Sequence, residues 1–181
     1  MHIATLPPGA RPAVPGMIWE VPKAGIWGDA RVEITVDGKI MIMVKPAHSC
    51  YLPISFLTTT PSLKWHPLPY KDTFAKLLDN SRTTAVWRRA ADGTVHIQGR
   101  IVLRRGHGGT GTSWGGGYIV VATMPVTARP LVSGMIWEVA KAGVWGDARL
   151  SVEVDGVMRL KPVHSVYVPV SYRSTVVKKK L

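Results

Sequence analysis

The sequence predicts an all-β chain built from antiparallel β-sandwich repeats. Three features lead to this prediction: a long internal repeat, short runs in which apolar and polar residues alternate, and Asp-Gly turns between those runs. Stretches that favour a helix are almost absent. Many short strands joined by tight turns favour a sandwich or a barrel over a fold with helical layers.

The repeat relates residues 4–56 to residues 122–172, and about 30 of about 55 aligned positions are identical. Its centre reads Gly-Met-Ile-Trp-Glu-Val at 16–21 and again at 134–139. The offset between the copies is about 118 residues and falls to about 116 after the Asp-Gly. We therefore expect the strand that returns from this turn to be shorter in the second copy.

The repeat is lopsided, because residues 61–118 precede the second copy and nothing equivalent precedes the first. We divide the chain into an incomplete β-sandwich repeat at 1–60, a complete repeat at 61–175 and a basic tail at 176–181. A sandwich that lacks its first strands has unpaired edges and an open core, both of which are costly. Strands from neighbouring subunits would resolve this, or the sequence is a fragment of a longer tandem array.

Each copy reads as a hairpin followed by a closing strand. In the first copy, apolar and polar residues alternate along 31–36, and the Asp-Gly at 37–38 is typical of a two-residue type I′ turn. The alternation resumes along 40–44. The closing strand at 51–56 contains Pro53, which removes a ladder donor, so we expect this strand at an edge or at a bend. The second copy repeats each step.

The segment between the copies adds three strands and one helical turn. Residues 74–78 form the only plausible helical turn, and residues 83–89 and 94–104 read as strands on either side of an Asp-Gly turn. Gly99 lies in the middle of the longer strand and indicates a bulge or a close approach of another backbone. A further strand follows at 118–124.

Composition limits the classes of function. The formal net charge is +12, but the arginines are scattered and only Lys178–Lys180 forms a run, so we expect no sequence-directed nucleic-acid binding. A preference for anionic polymers such as cell-wall glycans stays open. No apolar run approaches the roughly 18 residues of a membrane span, and no signal peptide opens the chain. Cys50 is the single cysteine and reads as a small buried apolar residue.

The glycine-rich loop at 106–117 has the composition of a phosphate cradle. It contains no Gly-Lys-Ser/Thr and no helix follows it, so we interpret it as a hairpin tip. Trp114 and His107 in this loop are candidates for contact with a partner or a sugar. His48 and His164 are equivalent turn residues without the spacing of a metal site, so no metal or cofactor is predicted.

Duplicated carboxylates invite an enzymatic interpretation. Asp29 and Asp147 each follow Trp-Gly, and Glu20 and Glu138 each lie in Trp-Glu-Val. A carboxylate pair can hydrolyse a glycosidic bond, but duplicated aspartates beside turns are better explained as turn formers. No set of Ser, His and Asp is organised for nucleophilic catalysis. We predict that the protein is not an enzyme and keep Asp29 and Asp147 as candidate surface or subunit contacts.

Two tryptophans of the first copy recur in the second. Trp19 and Trp137 occupy matching positions, as do Trp27 and Trp145. One member of each pair within a copy is expected to fill the core. The other, Trp27 or Trp145 in a Gly-x-Trp-Gly-Asp loop, is a candidate subunit anchor or a stacking platform for sugars.

Several motifs resemble a recurring element of bacteriophage tail-fibre and baseplate-associated structural proteins. The run Ile-Ala-Thr-Leu-Pro-x-Gly-x-Arg-Pro at 3–12 carries this resemblance, together with Asp-Gly-x-Val-x-Ile-x-Gly at 92–99 and the strand at 118–124. The later Asp-Gly hairpin and the closing strand at 167–172 complete the unit. The second copy departs from the pattern at 126–127, where the first copy has Pro-Gly, and this departure concerns the turn geometry.

The resemblance implies a β-sandwich protein, often trimeric, that builds a fibre or presents loops to a host surface. We therefore expect a non-enzymatic virion component, in a tail fibre, a tail tip or a head fibre, that contributes to host attachment. Its expected partners are copies of itself, most simply in a trimer, other virion proteins and a host-surface glycan. The alternative is a carbohydrate- or cell-wall-binding β-sandwich module, which a monomer in solution with exposed Trp27 and Trp145 would favour.

Overall fold

The structure is a computed structural model and describes residues 1–15, 17–22, 29–43, 64–104, 118–142, 147–161 and 165–174. Its strands, in chain order, are β1 (His2–Thr5), β2 (Met17–Pro22), β3 (Asp29–Ile34), β4 (Lys39–Met43), β5 (His66–Pro67), β6 (Val86–Arg89), β7 (Thr94–Gln98), β8 (Arg100–Ile101), β9 (Ile119–Thr123), β10 (Met135–Ala140), β11 (Asp147–Val152), β12 (Val157–Lys161), β13 (Val166–Tyr167) and β14 (Val170–Arg173). A short helix, α1 (Asp72–Ala75), lies between β5 and β6. Within the described ranges the strands form four antiparallel sheets, which confirms the predicted all-β fold.

The first copy of the repeat forms one sheet, with the strand order β1-β4-β3-β2. A 3₁₀ turn at Pro8–Ala10 follows β1. The alternation along β2, β3 and β4 gives the sheet an apolar inner face, as the period of two predicts. This face holds a cluster of Val21, Ala30 and Val32, with Trp19, Ile40 and Ile42 packed against it.

The second copy builds the same sheet, with the strand order β9-β12-β11-β10. A 3₁₀ turn at Val126–Ala128 again follows the first strand, although the first copy has Pro-Gly there. The returning strands β4 and β12 are both 5 residues long and keep the same register against β3 and β11. The described parts of the two strands therefore match one to one, and the expected difference in length stays a prediction, because the residues after Met43 and Lys161 are outside the described ranges.

The Asp-Gly hairpins have three-residue loops. In the first copy, the Gly38 N–H donates to the Thr35 carbonyl (2.8 Å) and the Thr35 N–H donates to the Lys39 carbonyl (3.0 Å). The second hairpin makes the same two bonds within 153–157. A type I′ turn needs positive φ at both central residues, but in the described ranges positive φ is confined to glycines. The predicted type I′ turn is therefore wrong, because the glycine follows the turn instead of forming its second half.

The segment between the copies forms a third sheet with the closing strand of the second copy, in the order β14-β7-β6-β5. One apolar cluster spans this sheet and the second-copy sheet, with Ile97 and Tyr172 from one layer and Leu150 and Met158 from the other. The Tyr172 hydroxyl also donates to the Ala128 carbonyl (2.7 Å), which ties the two layers together. These sheets are therefore the two layers of a sandwich.

Two predicted irregularities are confirmed. The strand at 94–104 is interrupted at Gly99, where a Cβ atom would lie 2.3 Å from the Thr84 carbonyl oxygen. The closing strand breaks at Pro169 into β13, which pairs with β8, and β14, which lies at the edge of the third sheet. Glycine is therefore needed for a close backbone approach, and proline lies at a bend beside an edge strand.

Candidate assembly surface

β1 and β9 are equivalent edge strands that differ in what lies beside them. In the second copy, residues 68–78, which we call the covering segment, run along the outside of β9. The Lys71 N–H donates to the Val121 carbonyl (2.9 Å), and the Thr123 N–H donates to the Pro69 carbonyl (3.2 Å). The covering segment therefore satisfies backbone groups that an edge strand would otherwise leave unpaired.

The covering segment also closes the core of the sandwich. Tyr70 forms an antiparallel bridge with Ala122, and α1 then lies against β9. Phe74 and Leu78 are buried in the cluster shared by the two layers, and the rings of Tyr70 and Phe74 have centroids 6.2 Å apart. Burial raises the pKa of Tyr70 above its ordinary value, because the phenolate is disfavoured away from water. The segment thus both pairs with the edge and packs on the apolar face.

β1 has no such neighbour among the residues that the structure describes. All of its residues are exposed. Register shifts at equivalent places show that Ile3 and Val121 lie in the same bulge of their strands. Ile3 is 42% exposed, whereas Val121 is fully buried. The same position is therefore core in one copy and surface in the other.

The inner face of the first sheet is open on the same side. Ile40 and Ile42 in β4 are only half-buried, whereas their equivalents Met158 and Leu160 in β12 are fully buried. Towards the opposite edge, the apolar residues of β3 and Val21 in β2 are buried in both copies. We call Ile3, Ile40, Ile42 and the outer edge of β1 the open face.

The open face lies at the end of the sheet that is remote from the second copy. The opposite edge strand, β2, lies against β10 and β13. At that end Arg31 and Glu20 form a nearly buried ion pair with 2.7 Å between Nη2 and Oε1, whereas Arg149 and Glu138 are exposed and 3.9 Å apart. One edge of the first sheet is therefore attached to the rest of the chain, and the other presents its strand outward.

None of the residues predicted from the sequence as contacts has a side chain that the structure describes. Trp27, Trp114, Trp145 and His107 lie outside the described residues, as do Cys50, His48 and His164. Asp29 and Asp147 begin β3 and β11, where their backbones pair with Pro22 and Ala140. Their side chains are also outside what the structure describes. Sugar stacking by Trp27 or Trp145 stays a prediction.

A polar row on the outer face of the third sheet is a second feature, and the sequence did not indicate it. Arg88 lies directly opposite His96, which lies opposite Ser171. Arg88 is 3% exposed, its guanidinium carbon lies 4.8 Å from the centre of the Trp65 ring, and its Nε and Nη1 have no hydrogen-bond partner among the described residues. Burial lowers the pKa of Arg88. Burial and the charge of Arg88 also lower the pKa of His96, against the opposing effect of Asp92.

In the ranges that the structure describes, no group of three or more His, Cys, Asp or Glu side chains is placed to hold a metal ion. Those ranges also contain no helix of the length and apolar character that a membrane span requires. Comparisons with family models, with curated proteins and with solved structures find no match. The open face offers backbone groups and apolar side chains to another polypeptide.

Proposed function

We propose that this protein is a non-enzymatic structural component of a bacteriophage virion, in a tail fibre, a tail tip or a head fibre, and that it contributes to host attachment. The observation that carries the proposal is the open face of the first sheet. A free strand edge beside half-exposed apolar residues is costly in isolation, and adding a strand from another chain is a common way to complete it. A chain with such a sheet is suited to be one part of a larger assembly.

The motif residues that resemble tail-fibre proteins support a structural role. The Ile-Ala-Thr-Leu-Pro run begins in β1, continues beyond its end at Thr5 and leads into the 3₁₀ turn at Pro8–Ala10. After this turn, Arg11 Nε donates to the Leu6 carbonyl (3.4 Å), and Arg129 Nε in the second copy donates to the Met124 carbonyl (3.5 Å). In both copies these residues hold a strand and a turn together, which is a structural role.

The assembly has two kinds of expected neighbour. The resemblance favours a homo-oligomer, most simply a trimer, and places other virion proteins around it. Host attachment follows from the same resemblance, with a surface glycan as the expected receptor.

Light scattering on a sizing column tests the proposal through the mass of the purified chain in solution. We expect a stable trimer that resists mild denaturant. A well-behaved monomer would contradict the homo-oligomer and favour the carbohydrate-binding alternative. That alternative is then examined by glycan binding, with Trp145→Ala as the control for ligand stacking.

A further inference from the structure

We propose that the open face binds a segment of a second, different polypeptide that is built like the covering segment. It consists of an extended stretch that pairs with the outer edge of β1, followed by one helical turn that carries an aromatic side chain and, three residues after that turn, an aliphatic side chain, both packed onto Ile3, Ile40 and Ile42. The inference rests on the proposed function, because it names what completes the first sheet in the assembly. The covering segment of the equivalent strand β9 shows which chemistry this partner needs.

The backbone bonds made to β9 transfer position by position to β1. In β9, the groups bonded to the covering segment are the Val121 carbonyl and the Thr123 N–H. The equivalent groups in β1 are the Ile3 carbonyl and the Thr5 N–H. Both strands carry the same bulge at this place, so both present these groups in the same pattern. An extended peptide can therefore add to β1 with the ladder that residues 69–71 make on β9.

The side chains transfer in the same way. Phe74 and Leu78 are the two fully buried large residues of the covering segment. In the second copy they share a cluster with Val121, Met158 and Leu160. At the equivalent positions the open face has Ile3, Ile40 and Ile42, which are apolar and of comparable size. A helical turn with an aromatic residue, followed by an aliphatic residue, therefore meets a chemically similar surface in the first sheet.

Exchange of the covering segment between two copies of the chain does not close the open face. The described part of the chain contains two sheets with this kind of edge and one covering segment. If residues 68–78 moved to β1 of a neighbouring copy, they would leave β9, expose Val121 and break the two backbone bonds to β9. Exchange between copies would therefore uncover β9 in one copy for each β1 that it covers in another. A polypeptide whose covering segment is not bound to a sheet of its own closes the open face without uncovering another edge.

A fluorescent peptide of residues 66–80 tests this inference against the full chain. The matched control peptide carries Phe74→Ser and Leu78→Ser, which keep the extended part and remove the two apolar anchors. Fluorescence anisotropy measures binding. We expect saturable binding of the native peptide and binding of the control that is weaker by about tenfold or more, because burial of one large apolar side chain accounts for roughly a factor of ten.

Variants of the full chain locate the binding surface. Ile3→Asp places a charge on the open face and is expected to abolish binding, and Ile3 is exposed, so the variant folds. Val154→Asp changes an exposed valine in the second hairpin and is the matched control that binds normally. In hydrogen exchange, the Thr5 amide should gain protection when the peptide binds, whereas the Thr123 amide, already bonded to Pro69, should not change.

Several outcomes would overturn the inference. These are equal binding of the two peptides, binding that survives Ile3→Asp, or a response at Thr123, which would mean that the peptide displaces the covering segment from β9. The solution mass of the chain distinguishes a failure of this inference from a failure of the proposed function. A trimer that ignores the peptide removes the inference and keeps the function, whereas a monomer that binds it keeps the inference and contradicts the homo-oligomer.

Discussion

Ile3 and Val121 lie in the same bulge of equivalent strands, yet Val121 is fully buried and Ile3 is 42% exposed. The sheets behind them have the same strand order. The difference lies beside the strand, because residues 68–78 pair with β9 and no described residue takes their place at β1. Burial at this position is therefore decided by a neighbouring segment and not by the repeat itself.

Substitution of these two residues by serine should have unequal effects on stability. Val121→Ser removes a buried apolar side chain and buries a hydroxyl, which should lower the free energy of unfolding by about 2–3 kcal/mol. Ile3→Ser changes a surface position and should cost about 0.5 kcal/mol or less. Urea denaturation followed by tryptophan fluorescence measures both variants. Equal losses would show that β1 is covered in the isolated chain, contrary to its exposure in the structure.

The repeat supplies a second matched pair, in its ion pairs. Arg31 donates to Glu20 Oε1 from Nε (2.9 Å) and from Nη2 (2.7 Å), and both side chains are nearly buried. Glu20→Ala should therefore lower the free energy of unfolding by about 2–4 kcal/mol, because it leaves a nearly buried cation without its carboxylate. Glu138→Ala, at the exposed pair, should cost about 0.5 kcal/mol or less. High salt should not reduce the first effect, and a salt-sensitive loss at Glu20 would contradict its burial.

Gly99 and Gly134 separate two reasons for which a glycine is needed. Both have positive φ, at +113° and +77°. A Cβ on Gly99 would meet the backbone of Thr84 at 2.3 Å, whereas a Cβ on Gly134 would meet nothing within 4 Å. Gly134→Ala should therefore cost about 1–2 kcal/mol from backbone strain alone. Gly99→Ala should cost about 3 kcal/mol or more, and a thermal melt in which the two variants lose the same stability would contradict the close approach.

Local patterns predicted the strands, because apolar and polar residues alternate over a few positions within each of them. The repeat then predicted that the two copies fold alike, and β1 to β4 and β9 to β12 share one strand order. The turn type was wrong because Asp-Gly fits both a two-residue turn and a three-residue loop that ends in glycine. The hydrogen bonds around Thr35 and Gly38 decide between them, and these depend on register across the hairpin.

The burial of individual side chains depends on long-range packing, and it could not be predicted from the sequence. The half-unit indicated an open core, but alternation alone does not say that Ile40 and Ile42 are left half-exposed while Val32 is buried. Arg88 lies on the outer face of its sheet, where an arginine is normally solvated. Its burial beneath Trp65 depends on residues that lie more than twenty positions away in the chain.

The polar row of Arg88 and His96 should make stability depend on pH. The pKa of His96 is lowered in the folded protein, first by burial and then by the charge of Arg88. Folding therefore favours the neutral imidazole, so this contribution is complete above the ordinary histidine pKa of about 6.5 and is lost as the pH falls below it. The difference in free energy of unfolding between the wild type and His96→Gln, measured by urea denaturation from pH 8 to pH 5.5, should shift against the wild type below about pH 6.5.

In an Arg88→Met background this pH-dependent difference should shrink, because the neighbouring positive charge is gone. A difference that is flat with pH in the native background would show that His96 is not shielded from water, and one that grew after Arg88→Met would show that the arginine stabilises the imidazolium.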